Sequence, residues 1–242
     1  MELDILSYVD RFCREHNLKY IINYGTLIGA VRHGGFIPWD DDIDISMPRD
    51  DYEMLITKFP QNGRYKILDY RSDNNYYNNF IKIIDTKTTI VDNRNDKTYE
   101  SGLFIDIFPM DRFNDLKVVD KTYNLESFKL LSFSKHHNIV YGDSIIKDMI
   151  RSTCWFFLKP VSPRYFAGRI EKVIEKYKCQ NGKYIGLLAS KFKEIIEISF
   201  ENLRLKAPKE YDKLLRQYYG DYMEFPPVEK QVNPHELDAY YK

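Results

Sequence analysis

Cysteine is scarce in this chain of 242 residues: Cys13, Cys154 and Cys179 lie far apart, are odd in number and form no Cys-x-x-Cys pair. That excludes a zinc knuckle and a disulfide framework, and it fits a reducing cytoplasmic compartment. A surplus of either charge is also missing, because 36 basic residues cancel 36 acidic ones. Without a global field the chain cannot gather polyanions, so nucleic acid is not an expected partner. No run approaches the roughly 20 apolar residues of a spanning helix. The acidic start Met1-Glu2-Leu3-Asp4 is unlike a targeting segment. Internal repeats and low-complexity linkers are absent, and the 43% hydrophobic fraction supports an ordinary core for one domain over 1–242.

What is abundant is locally concentrated acid. Phe36-Ile-Pro-Trp-Asp-Asp-Asp-Ile-Asp44 places four carboxylates in five positions with no cation among them. Two unit charges about 4 Å apart repel by roughly 4 kcal/mol at an effective dielectric near 20, so a semi-buried group of this kind holds a divalent cation or takes up protons. Asp42 and Asp44 alternate with Ile43 and Ile45, and a strand's period of two turns both acids to one face and both isoleucines to a core. Two blander readings compete. One is a solvated acidic turn. The other is a calcium loop, which fails where Ile45 replaces the required glycine and Asp51 the bidentate Glu.

Just upstream, Leu18 to Tyr24 is a short β-rich run leading into Gly25-Thr26-Leu27-Ile28-Gly29-Ala30-Val31-Arg32, a strand, tight turn and short helix. A helix opening on glycine offers backbone N–H groups to an anion. Gly25 permits close approach of a phosphate, Thr26 adds a hydroxyl, and Arg32 can supply a bidentate guanidinium. A packing glycine is the alternative. Farther on, Leu103, Ile105 and Ile107 alternate with Phe104, Asp106 and Phe108, which leaves Asp106 as a charge among apolar neighbours. Such a carboxylate must be paired with a lysine or arginine, protonated, or bound to the metal of Asp42 and Asp44.

The run Tyr24-Gly25-Thr26-Leu27-Ile28-Gly29-Ala30-Val31-Arg32-His33-Gly34-Gly35-Phe36-Ile37-Pro38-Trp39-Asp40-Asp41-Asp42-Ile43-Asp44 resembles the signature of the LicD family. Phe104-Ile-Asp-Ile-Phe-Pro109, Ala207-Pro-Lys-Glu-Tyr-Asp212, Tyr219-Gly-Asp-Tyr-Met223 and Pro226-Pro227 extend the likeness over about 15–235. That family includes bacterial phosphocholine transferases of cell-surface glycans and is related to the fukutin-related proteins. The resemblance implies a mixed α/β, nucleotidyltransferase-like fold, with a small twisted sheet flanked by helices. It implies Mg²⁺ or Mn²⁺ held by Asp42, Asp44 and Asp106, with Asp106 completing the metal shell or taking the acceptor's proton. It also implies a CDP-activated alcohol as donor and a glycan, in some members lipid-linked, as acceptor. Gly25, Thr26, Arg32 and, by resemblance, Lys82 become phosphate ligands. Tyr24 and Trp39 are open to two readings, a stack on the cytosine base or a packing aromatic. Asp85 shares the Asp106 pattern but closes its strand, where a turn role serves equally. Transfer of NMP to a small molecule uses the same residues, and a non-catalytic glycan- or nucleotide-binding module remains a third reading.

The pattern predicts helices over 2–16, 25–33 and 50–59, strands over 18–24, 41–47, 64–70, 79–85, 88–92 and 103–108, and a polar turn at 73–79. It further predicts a helical insertion over 116–180, a strand pair near 193–205, and a helix from Pro208 to a stop at Gly220. Within the insertion, 145–166 mixes aromatic and aliphatic residues with Lys147, Arg151, Lys159 and Arg164. It is either an interfacial helix at the inner face of a membrane or a stripe packed on its own domain.

Overall fold

In chain order the described elements are α1 (Glu2–Glu15), β1 (Ile21–Ile22), α2 (Tyr24–Arg32), β2 (Asp44–Pro48), α3 (Arg49–Lys58), β3 (Tyr65–Leu68), β4 (Ile81–Asp85), β5 (Thr88–Asp92), β6 (Lys97–Tyr99), β7 (Phe104–Met110) and β8 (Arg112–Phe113). There follow α4 (Leu116–Leu131), α5 (Ile145–Leu158), α6 (Pro163–Tyr177), β9 (Lys183–Tyr184), β10 (Ile195–Phe200), β11 (Leu203–Pro208), α7 (Tyr211–Tyr219) and β12 (Leu237–Tyr241). The computed structural model describes residues 1–92, 97–99, 102–113, 116–133, 145–179, 183–184, 194–233 and 237–242. The architecture is mixed α/β, as expected. Two compact units divide the chain: the first takes Met1–Ile67, Lys82–Met110 and Gly186–Lys242, the second Leu68–Ile81 and Asp111–Ile185.

The first unit is built on a sheet of order β1-β2-β7-β4-β3. β2 and β7 run parallel, with Asp44 opposite Asp106 and Ile45 opposite Ile107. Both strands are rich in isoleucine because central strands are covered on both faces. Ile43, Ile45, Met47, Ile105 and Ile107 are fully buried. Helix α1 lays Ile5, Leu6, Val9, Phe12 and Cys13 into this core at helical spacing, with Glu2 and Asp4 in its first turn and Arg14 in its last, matching the helix dipole. It packs on β7, as does α3, while α2 packs on β2. The β10–β11 hairpin pairs Ile195 with Pro208 through Phe200 with Leu203.

Several boundaries differ from expectation. The ladder assigned to 41–47 starts at Asp44, so Asp42 precedes β2 rather than lying in it. Three consecutive aspartates are poor strand formers, and only from Ile43, whose carbonyl accepts the Asp106 N–H at 2.8 Å, does backbone pairing begin. The alternation survives nonetheless: Ile43 and Ile45 are buried while Asp42 and Asp44 are partly exposed. The strand at 18–24 contracts to Ile21–Ile22, because Tyr24 already opens α2. The strand pair is β10 and β11, ending at Pro208, and β12 closes a sheet β12-β5-β6 that no local pattern announced.

In the second unit, Phe113, Leu130, Phe133, Phe166, Ala167, Ile170 and Ile174 form the core, with Tyr123, Trp155 and Leu158 packed against it. Helix α6 starts where Ser162 Oγ accepts the Arg164 N–H, with Pro163 at the first helical position. Among the described residues no helix is long and apolar enough to cross a membrane.

Candidate functional site

Asp44 and Asp106 meet because β2 and β7 are parallel neighbours in register, an arrangement that puts side chains at one level on one face. The entry of Asp44 into its strand is pinned twice: its N–H donates to Thr26 Oγ1 at 2.8 Å, and its carbonyl accepts from Asn23 at 3.0 Å. Thr26 is thus buried and ties α2 to the acidic strand, with its own hydroxyl proton still available to donate. Burial, then Asp42, Asp106 and Asp40, raise the Asp44 carboxyl well above the usual carboxylate range, against the lowering influence of Lys82. Asp40, Asp42, Asp44 and Asp106 therefore share one field.

Asp106 is buried, and Lys82 Nζ donates to its Oδ1 at 2.6 Å while lying 3.3 Å from the centroid of the Phe104 ring. Of the alternatives for Asp106, pairing with a lysine is the one this geometry shows, and Asp106 also contributes to the field at Asp44. Gly25 sits under the Asp40 side chain, and a Cβ there would run into the carboxylate. An anionic oxygen thus already fits the space above the first turn of α2. Tyr24, at the first position of that helix, has φ +46°, a left-handed conformation rare for a bulky residue and typical of strain held at functional sites. Its ring packs edge-on to Phe108 and near-parallel to Tyr218, at 5.4 and 6.2 Å between centroids.

Arg32 is oriented elsewhere. Its Nη1 donates to the carbonyls of Tyr222 and Glu224 at 2.7 and 3.3 Å, and its guanidinium lies 4.9 Å from the Phe225 ring centroid and 6.0 Å from that of Trp39. The side chain anchors the carboxyl-terminal tail. Asp85 is fully buried in a bidentate pair with Arg64, Nη2 to Oδ2 at 2.6 Å, and this gives it a structural occupation. Burial pushes its carboxyl up, but the Arg64 hydrogen bonds and the Lys87 N–H more than offset this and leave it lowered.

Tyr219 was not foreseen as a site residue. Burial first, then Asp44, Tyr24, Asp40 and Asp42, push its hydroxyl up to about 12, which places this partly exposed tyrosine in the field of the acidic cluster. The signal in sequence was present only as part of the tail similarity. A cavity of 360 Å³ lies beside the acids, lined by Met1, Glu2, Leu3, Phe36, Asp41, Leu103, Phe104 and Leu237. Glu2 there is raised to about 8 by burial and by Asp42, Asp41 and Asp40. Hard carboxylate oxygens in mutual repulsion are the donor set of Mg²⁺ or Mn²⁺, so the residues fit such an ion. Among the described residues, no three carboxylate, imidazole or thiolate groups are already arranged to grip one.

Residues 17–151 match the family described as LicD/FKTN/FKRP, nucleotidyltransferase domain. The chain is 31% identical over 258 residues to the lipopolysaccharide cholinephosphotransferase LicD of Haemophilus influenzae, covering 98% of this chain and 94% of that one. Shorter similarity, 46% over 56 residues and 22% of this chain, links it to 18% of an uncharacterized protein of Rickettsia typhi. A comparable segment of 52 residues, 20% of each chain, is 46% identical to an uncharacterized protein of Rickettsia prowazekii. With the glycine turn, the register-matched aspartates and this full-length similarity together, the chain belongs to the LicD family.

Proposed function

We propose that this protein transfers a phospho-alcohol, phosphocholine above all, from a CDP-activated donor to a hydroxyl of a cell-surface glycan or its lipid-linked precursor. The observation that carries the reading is the Asp44–Asp106 register with Asp42 and Asp40 beside it. The relative's name, a lipopolysaccharide cholinephosphotransferase, supplies the choline and the glycan. Asp42, Asp44 and Asp106 would hold Mg²⁺ or Mn²⁺, which when bound neutralises the diphosphate and the departing CMP.

The chain's own groups do the rest. Gly25 and Thr26 would offer N–H and hydroxyl donors to a phosphate at the start of α2 once the Asp40 carboxylate that covers Gly25 swings aside. Lys82 holds Asp106 and presents a positive charge on the same strand face. Tyr219, whose hydroxyl lies in the field of Asp44, Asp40 and Asp42, would be a hydrogen-bond donor toward an anionic oxygen there. Where Asp106 does not complete the metal shell, it would accept the proton of the attacking hydroxyl, while Lys82 keeps its hydrogen bond to Oδ1. Arg32 takes part indirectly by fixing the tail behind α7. The Phe36 ring and Asp41 in that cavity suit a quaternary ammonium group, which favours aromatic and anionic walls.

The test is incubation of the purified protein with CDP-choline and other CDP-alcohols, a glycan acceptor and Mn²⁺, with analysis of both products. CMP together with phosphocholine-bearing glycan supports the reading. Free phosphocholine with a CMP-bearing acceptor would replace it by nucleotidyl transfer, and no metal-dependent donor breakdown would leave a binding module.

A further inference from the structure

Helix α5 is apolar on two opposite sides. Trp155 and Leu158 pack against the core of the second unit, and Arg151 is buried on the same side. On the other side Ile146, Met149, Ile150, Phe156 and Phe157 are between 53% and 72% exposed, and Thr153 lies among them. At about 100° per residue these positions fall within an arc of roughly 120° that contains no charged residue. A stripe of that width, exposed along the whole helix, is not the scattered apolar surface that every protein carries.

What surrounds the stripe identifies its occupant. Lys159, at the end of α5, holds its Nζ 4.7 Å from the Phe156 ring centroid and 5.7 Å from that of Trp155. This places an ammonium at the rim of an aromatic surface, as in side chains that reach from an apolar layer to phosphate level. Residues 145–178 contain eight lysines and arginines against three acids, in a chain whose net charge is zero; Arg151 is buried and Arg169 and Lys178 pair with Glu126 and Glu175, which leaves five of the eight for the surface charge. A second copy is a poor match, since an isologous contact would bring two such positive segments together. An anionic sheet with an apolar interior matches both the stripe and its rim.

We propose that the outer face of α5 docks in the plane of an anionic lipid bilayer, with its isoleucines and phenylalanines in the acyl boundary and Lys159 at the phosphate level. The inference is independent of the transfer chemistry, and no residue of the aspartate cluster takes part.

Co-sedimentation of the full chain with vesicles of phosphatidylcholine, and of phosphatidylcholine with about one third phosphatidylglycerol, tests it. Wild type should pellet with the anionic vesicles and about tenfold more weakly with the zwitterionic ones. Phe156→Ser combined with Phe157→Ser should lower the anionic partition about tenfold at an unchanged melting temperature, and Ile150→Ser and Lys159→Glu should each lower it independently. The inference is overturned if wild type remains in the supernatant or if the variants pellet equally well. It is also overturned if sedimentation velocity shows a dimer that the double variant loses, which would make the stripe a contact between copies.

Discussion

Asp44 and Asp106 stand opposite each other across the β2–β7 ladder, and Lys82 Nζ donates to Asp106 at 2.6 Å. The two carboxylates therefore differ in kind. Asp106 is half of an ion pair, whereas Asp44 is raised by burial and by three neighbouring aspartates. Their removal has opposite consequences for the protein without metal.

Asp44→Asn relieves repulsion, so its melting temperature in chelator should equal or exceed that of wild type. Asp106→Asn takes from half-buried Lys82 its carboxylate partner and should destabilise by about 1–3 kcal/mol. Both should reduce CMP release by about a thousandfold or more. Paired thermal melts and donor-turnover assays measure this, and equal destabilisation by the two variants would contradict the crowding argument.

Glu2 gives a pH signature. Its carboxyl is raised from 4.5 to about 8, by burial first and then by Asp42 and Asp41. A group raised in the folded state contributes stability that is complete below its unfolded value and lost as pH rises toward the folded one. Wild type should therefore lose on the order of 1–3 kcal/mol between pH 4.5 and 8, while Glu2→Gln stays flatter. Melting curves across that window decide it.

Arg64→Ala serves as the structural contrast. It strands the fully buried Asp85 and should cost about 3 kcal/mol in denaturant titrations. KM for the donor should remain near wild type, since neither residue belongs to the acidic cluster.

Gly25→Ala and Gly29→Ala should separate site from scaffold. At Gly29 a Cβ meets the backbone carbonyl of Gly35, which cannot swing aside, so stability should fall by about 1–3 kcal/mol. At Gly25 it meets only the Asp40 carboxylate, a flexible group, so the melt should change little while turnover drops at least about tenfold. Unaltered turnover in Gly25→Ala would remove the phosphate cradle.

Much of the site was legible because Tyr24 to Asp44 is continuous in sequence, and local periodicity announces α2 and the buried isoleucines. Asp106 was readable as a charge in an apolar strand, but its pairing with Asp44 is a long-range fact that only strand order supplies. Arg32 looked like an anion ligand because nothing local reveals the Tyr222 and Glu224 carbonyls it reaches. Tyr219 was hidden for the same reason: its field comes from a distant segment. In α5 the composition favoured packing on its own domain over exposure without deciding between them, since a helix apolar on both sides satisfies either.

The parallel ladder between β2 and β7 also acts as a ruler. Backbone hydrogen bonds hold the Asp44 and Asp106 strands about 4.8 Å apart whatever side chains surround them. A parallel pair requires a crossover, and everything from α3 to β6 hangs in that detour. Loops along the detour can change in length while the gap between the two carboxylates stays constant, provided β4 keeps its place beside β7 and Lys82 its hold on Asp106.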